Sequence, residues 1–493
     1  MRTGSRYQPW VVLALTLAGL SIFSLVCSLG QGAEEPASTP AATDFLGHWE
    51  GHIDIPGTAL TVLVDLQQEA GKWSGTADIP MQGAHGLPLA DIRIEGVQIT
   101  FALANVPGVP TFHGTLDQGQ ISGTFTQGGQ SFPFTLGREA VAAPVRPQEP
   151  DTTTVPYKQE EVSYRHDDIR LAGTLTLPEG AGPFPAALLV SGSGPQDRNE
   201  EIFGHKPFLV LADFLTRAGI AVLRVDDRGV GGSSGFLAQA TSEDLAADAE
   251  AGVDFLRRRP EIDPRKVGLI GHSEGGLIAP MVAVRTDSVA FVVLLAGPGV
   301  PGDQILERQT ELLSRAAGMN DQQLARVVVD ERRLLELVKS GAPEDSLHEQ
   351  AGKLVDAQMG AAAGGVDEAA RREAVNRAVE QLDSPWFHFF LGYDPRPTLR
   401  KLRVPVLALD GSLDLQVDPA QNLPEIREAL KEAGNRDVTV TELPGLNHLF
   451  QKAKTGSIEE YYTIEETMDP TALDAIRDWI LARFSSRSRP PGS

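Results

Sequence analysis

Cysteine is almost missing from this sequence: of 493 residues only Cys27 is one. Once an N-terminal segment containing it is removed no thiol remains, and the folded chain relies on its core without disulfides. Basic residues are also short, 43 Lys and Arg against 66 Asp and Glu, for a formal charge of −23. No long basic run breaks that deficit. Phosphate contacts need clustered Lys and Arg, so nucleic-acid binding is excluded as a function class, and the acidic surface serves solubility. Metal-ligand spacing is lacking as well. His48, His52, His85 and His113 share one region but do not fall at ligand spacing on one element.

What is present describes a globular protein, 41% hydrophobic and 22% charged, long enough for two or three domains. The N-terminus has the form of an export signal. Arg2 and Arg6 precede an apolar stretch over 11–26, and Gly30-Gln31-Gly32-Ala33 supplies small residues for cleavage. Residues 1–33 are expected to be removed, giving a periplasmic or extracellular protein that starts at about Glu34. The alternative is an uncleaved membrane anchor, because residues 10–29 carry no charge and are long enough to span a bilayer. Lipidation of Cys27 is disfavoured, since Ser24-Leu25-Val26 lacks the small residue expected just before it.

Residues 34–43 are a linker rich in Ala, Pro, Ser and Thr. Over 44–138 short alternating runs such as Leu60-Thr61-Val62-Leu63-Val64 and Ile121-Ser122-Gly123-Thr124-Phe125 are broken by turn residues. That spacing predicts a small all-β domain, barrel or sandwich, with hairpin turns at Glu95-Gly96 and Gln118-Gly119. A second linker covers 139–157. From 158 to 488 fully apolar runs, at 186–190, 221–225, 267–270, 291–295, 406–409 and 438–443, alternate with amphipathic helices such as 208–218 and 242–258. The pattern is that of an α/β domain whose parallel sheet is covered on both faces. Between about 301 and 396 the alternation stops. Helical periodicity at 310–317, 322–339 and 368–382 predicts an insertion that caps the C-terminal ends of the strands, where ligands bind in open α/β sheets.

One stretch in this domain carries chemistry. The apolar run 267–270 leads into Gly271-His272-Ser273-Glu274-Gly275-Gly276, and Leu277-Ile278-Ala279 opens a helix. Strand, sharp turn and helix form the setting of a nucleophile elbow, with Ser273 exposed at a helix N-terminus. A hydrolytic serine needs a base, and the base needs an orienting carboxylate. Asp414 and His448 follow the strands 404–409 and 438–443, giving the chain order Ser, Asp, His of an α/β hydrolase. Asp410 is the rival acid, though its place at the strand end suits it to the turn. The oxyanion donors are expected from the backbone of Glu274 and of Ser193, with Gly194 as the near alternative, in the loop Ser191-Gly192-Ser193-Gly194. Trp386, Phe387 and Phe390 belong to the densest aromatic cluster and either line an acyl pocket or anchor the insertion. Asp227 and Arg228 are assigned to a structural ion pair or loop bracket.

These motifs together resemble a known family. Ser191-Gly192-Ser193-Gly194-Pro195-Gln196-Asp197-Arg198, Asp227-Arg228-Gly229-Val230-Gly231-Gly232-Ser233, Gly271-His272-Ser273-Glu274-Gly275-Gly276 and Gly445-Leu446-Asn447-His448 look like secreted bacterial α/β-hydrolase-fold serine esterases, the serine-aminopeptidase-like or prolyl-oligopeptidase-like group. The resemblance covers about 158–488. It implies an α/β-hydrolase fold, a Ser273–Asp414–His448 triad, hydrolysis of short-chain carboxylic esters through an acyl-enzyme, and neither metal nor organic cofactor. The implied partner is a small-molecule ester, with no nucleic acid and with membrane contact only through an uncleaved N-terminus. Three other readings stand beside it: a peptidase, an acyltransferase on the same fold, and a binding protein that no longer turns over.

Overall fold

In the computed structural model the described residues are 42–484, apart from 56–57, 81–83, 105, 107–109, 128–129, 140–144 and 360–367. The expected signal at 1–33 lies outside them, as does the linker up to residue 41.

Alternation of buried and exposed positions, clearest in Thr111–Asp117, gives the N-terminal strands one wet and one dry face. Eight of them close on themselves: β1 (Gly47–Ile55), β2 (Thr58–Glu69), β3 (Lys72–Ile79), β4 (Ala84–Glu95), β5 (Gln98–Leu103), β6 (Thr111–Asp117), β7 (Gln120–Gln127) and β8 (Gln130–Gly137). Each pairs antiparallel with the next, and β1 meets β8 with Glu50 opposite Gly137, so the choice between sandwich and barrel falls to a barrel. Its interior is aromatic: Phe112 stacks on Phe101 at 4.6 Å and meets Phe134 edge-on at 5.0 Å. Gln118 and Gly119 both take positive φ, 46° and 82°, the backbone a two-residue hairpin of matching twist requires. The other hairpin is displaced by one residue from the reading above. Glu95 still pairs with Gln98, so Gly96-Val97 makes the turn.

The second sheet contains β9 (Lys158–His166), β10 (Ile169–Leu177), β11 (Phe184–Val190), β12 (Ala221–Val225), β13 (Ile262–His272), β14 (Val292–Leu295), β15 (Val406–Gly411) and β16 (Val438–Leu443). Their order is β9-β10-β12-β11-β13-β14-β15-β16, antiparallel through β9, β10 and β12 and parallel from there on. Successive residues face opposite layers. Leu188 and Leu269 pack with the helices Ser242–Arg257, Gly275–Arg285 and Pro419–Glu432, whereas Leu189 and Ile270 pack with Pro207–Arg217 and Pro470–Phe484. Burial on both sides explains why these strands read as unbroken apolar runs.

Among the described residues six helices lie between β14 and β15: Gly302–Ala316, Asp321–Lys339, Glu344–Met359, Glu368–Leu382, Pro385–Gly392 and the short Arg396–Leu399. The third has no counterpart in the sequence reading. Its buried Leu347, Ala351, Leu354 and Val355 do keep helical spacing, but Gly352 interrupts the pattern.

Candidate active site

The turn after β13 carries the local strain its sequence implies. Ser273 has φ 53°, a left-handed conformation rare for any residue with a side chain. It is tolerated because its flanks are bare. A Cβ on Gly271 would lie 1.9 Å from the carbonyl oxygen of Gly275, and one on Gly275 would lie 2.1 Å from that of Val190. The turn is pinned to the sheet by the Ser273 N–H, which donates to Leu295 O at 2.8 Å, and the helix Gly275–Arg285 starts directly behind it.

Asp414 and His448 reach the same end of the sheet on two loops stitched together by Leu413 N–H donating to Leu446 O at 2.8 Å. Asn447 shapes the second loop, its Oδ1 accepting from the N–H groups of Leu449 and Gln451. His448 Nδ1 lies 2.7 Å from Asp414 Oδ2, both side chains buried. Asp414 Oδ1 accepts from the N–H groups of Gln416 at 2.7 Å and Val417 at 2.9 Å. Burial alone would raise the Asp414 carboxyl, but His448 and these donors outweigh it and hold it below the usual carboxylate range. Asp410 is also buried, and its Oδ1 accepts from Gly411 N–H at 2.8 Å. Burial and the charge of Asp414 push its carboxyl well above the usual range. His448 faces Asp414. Among the described residues no hydrogen bond joins the Ser273 hydroxyl to His448, a contact that in free enzymes often tightens only around substrate.

A second imidazole links the three loops, and sequence reasoning passed over it. His272 Nδ1 lies 2.9 Å from Glu200 Oε1, and its Nε2 lies 3.0 Å from the carbonyl oxygen of His448. Both partners present an oxygen, a setting that favours the doubly protonated ring. Burial disfavours that charge, but Glu200 and the His448 carbonyl prevail and its pKa is raised. Glu200 Oε1 also accepts from Gly192 N–H at 2.6 Å, which removes Gly192 as an oxyanion donor. The N–H groups of Ser193 and Glu274 make no hydrogen bond among the described residues. Asp227 brackets the same loop, accepting from Ser191 Oγ and from Gln196 N–H, both at 3.0 Å, while Arg228 pairs with Asp248 at 2.7 Å.

The aromatic cluster divides. Trp386 donates Nε1–H to Glu274 Oε1 at 2.8 Å and stacks on Phe390 at 5.2 Å, which places both beside the Ser273 turn. Ser242 Oγ donates to the same Glu274 oxygen at 2.6 Å, and burial pushes that carboxyl up. Phe387 is not brought there. It packs with Leu334, Leu335 and Leu391 in the core of the insertion, because one helical turn sends neighbouring side chains to different faces. Among the described residues no group of His, Asp or Glu is arranged to hold a metal ion.

A mostly parallel sheet with a left-handed serine after its central strand, and an acid and a histidine past later strand ends, is the α/β-hydrolase architecture. The chain belongs to the alpha/beta hydrolase family, whose model matches residues 187–453. Esterase EstD of Thermotoga maritima is 27% identical over 323 residues, 65% of this chain and 68% of that protein. An uncharacterized protein of Mycobacterium tuberculosis is 29% identical over 143 residues, and there the chain spans only 47% of the relative's length. The solved Pyrococcus furiosus esterase Pf2001 is 16% identical, covering 71% of this chain and 99% of its own, with a TM-score of 0.42.

Proposed function

We propose that the protein is a serine hydrolase of carboxylic esters, acting on short acyl chains through Ser273, His448 and Asp414. The observation that carries this is the buried 2.7 Å contact between His448 Nδ1 and Asp414, set against the left-handed Ser273. With Nδ1–H directed at the carboxylate, Nε2 is the free lone pair and accepts the Ser273 proton as Oγ attacks the ester carbonyl. The carbonyl oxygen becomes an oxyanion held by the N–H groups of Ser193 and Glu274, near the positive end of the helix Gly275–Arg285. His448 then protonates the leaving alcohol, and water enters to release the acid with His448 as base. Trp386 and Phe390 line the acyl side. The esterase EstD relative supports the ester class.

The test is a paired assay of wild type and Ser273→Ala on short p-nitrophenyl esters and aminoacyl anilides. Turnover of the esters should fall by several orders of magnitude in the variant. Equal turnover by the two proteins removes Ser273 from its role, and faster anilide than ester cleavage turns the reading to a peptidase. The charge, apolar and small-residue pattern of residues 1–33 supports export with cleavage; N-terminal sequencing of the exported protein should begin near Glu34, and an intact Met1 would refute it.

A further inference from the structure

A polar cavity of about 550 Å³ opens between residues 149–152, strands β9, β10 and β12, and the loop that follows β11. Ser273 does not line it. Three cations do, Arg198, Lys206 and Arg224, against two carboxylates, Glu149 and Glu161. The pairing among them is uneven. Arg198 is saturated, with Nε and Nη2 on Asp226 at 2.9 and 2.8 Å and Nη1 on Glu161 at 2.5 Å. Lys206 Nζ lies 3.8 Å from Glu149 and 3.9 Å from Glu201, too far for hydrogen bonds.

Arg224 is the odd member. It is 3% exposed, and its one side-chain hydrogen bond runs from Nη1 to Oδ1 of Asn199. Its Nε is buried without an acceptor, and among the described residues no carboxylate pairs with it. Burial pulls its guanidinium down to about 10, which leaves it a cation at neutral pH. A buried charge with one neutral partner is costly, and the cost disappears when an anion completes the pair. The nearby carboxylates are already engaged by the other two cations, Glu161 and Asp226 by Arg198 and Glu149 and Glu201 by Lys206, so none is left to pair with Arg224.

We propose that this cavity binds a small oxyanion, a carboxylate or a phosphate, with Arg224 as its charge partner and Lys206 as a second, looser donor. Arg is suited to either group, because its N–H fork matches their oxygens. The site is separate from the proposed catalytic serine, yet it touches the same loop. Asn199, which holds Arg224, is followed by Glu200, the carboxylate that binds Gly192 N–H and His272.

The test is calorimetric titration of the full chain with sodium phosphate and, separately, sodium acetate, against sodium chloride at matched ionic strength. At least one oxyanion should bind saturably in the millimolar range, and which one does distinguishes the two sources. Ser273→Ala should bind as wild type does, so the result stands apart from the esterase reading. Arg224→Gln should abolish binding, and Lys206→Ala should weaken it about fivefold, the order expected of a partly exposed ion pair. If Arg224→Gln does not fold, Lys206→Ala decides. The proposal is overturned by no saturable binding of either anion, by binding that survives Arg224→Gln, or by unchanged affinity in Lys206→Ala.

Discussion

Replacing Asp414 by Asn should cost far more than replacing Asp410, four residues away on the same strand end. The structure supplies the reason. Oδ1 of Asp414 accepts from two backbone N–H groups, Gln416 and Val417, so the carbonyl oxygen of an amide at this position must take the Oδ1 place. Its NH2 then lands where Oδ2 was, 2.7 Å from His448 Nδ1, and donates to it. Nδ1 must give up its proton, Nε2 acquires one, and the ring can no longer accept from Ser273. A serine hydrolase forced into this tautomer loses a factor of about ten thousand, or roughly 5.5 kcal/mol of transition-state stabilisation. Asp410 is the opposite case. Its carboxyl is already shifted towards the protonated form, and an amide keeps the acceptor for Gly411 N–H, so turnover should stay within about tenfold of wild type. The measurement is kcat/KM on a short p-nitrophenyl ester, with circular dichroism to confirm folding of both variants. Asp414→Asn activity within tenfold of wild type, or equal losses in the two variants, would refute the assignment.

Two further predictions concern pH. Glu331 is buried in the helical insertion with one hydroxyl partner, Thr310, and burial raises its carboxyl from 4.5 to about 8. The folded state therefore holds this proton more tightly than the unfolded one, and stability is lost as pH rises from 4.5 towards 8. The loss reaches roughly 5 kcal/mol, and Glu331→Gln should remove it; identical pH slopes in denaturant melts of the two proteins would show the carboxyl is not so held. His272 has its pKa raised above 6.5, so its contribution is complete below 6.5 and drains away as pH climbs through the folded value. The stability difference between wild type and His272→Gln should accordingly shrink from acid to alkaline pH, and a difference that grows would count against the doubly protonated ring.

Residues near one another in the chain had already written much of this molecule. The period-two runs of 44–138, the apolar runs of 158–488 and the strand, turn and helix around Ser273 are local patterns, set by where a side chain points one or two positions on. They were enough for the class of fold and for candidates at strand ends. Only the tertiary structure decided between Asp410 and Asp414, because which carboxylate meets His448 depends on how the Leu446–His448 loop crosses the end of β15, not on distance along the chain. It also sent Phe387 into the core of the insertion while Trp386 reached Glu274, joined Glu200 to His272 across 72 residues, and among the described residues left Arg224 without a carboxylate. Pairings over such separations leave no periodic trace. They exist because burial removes water, and each enclosed charge must then find its partner in whatever part of the chain the fold has brought beside it.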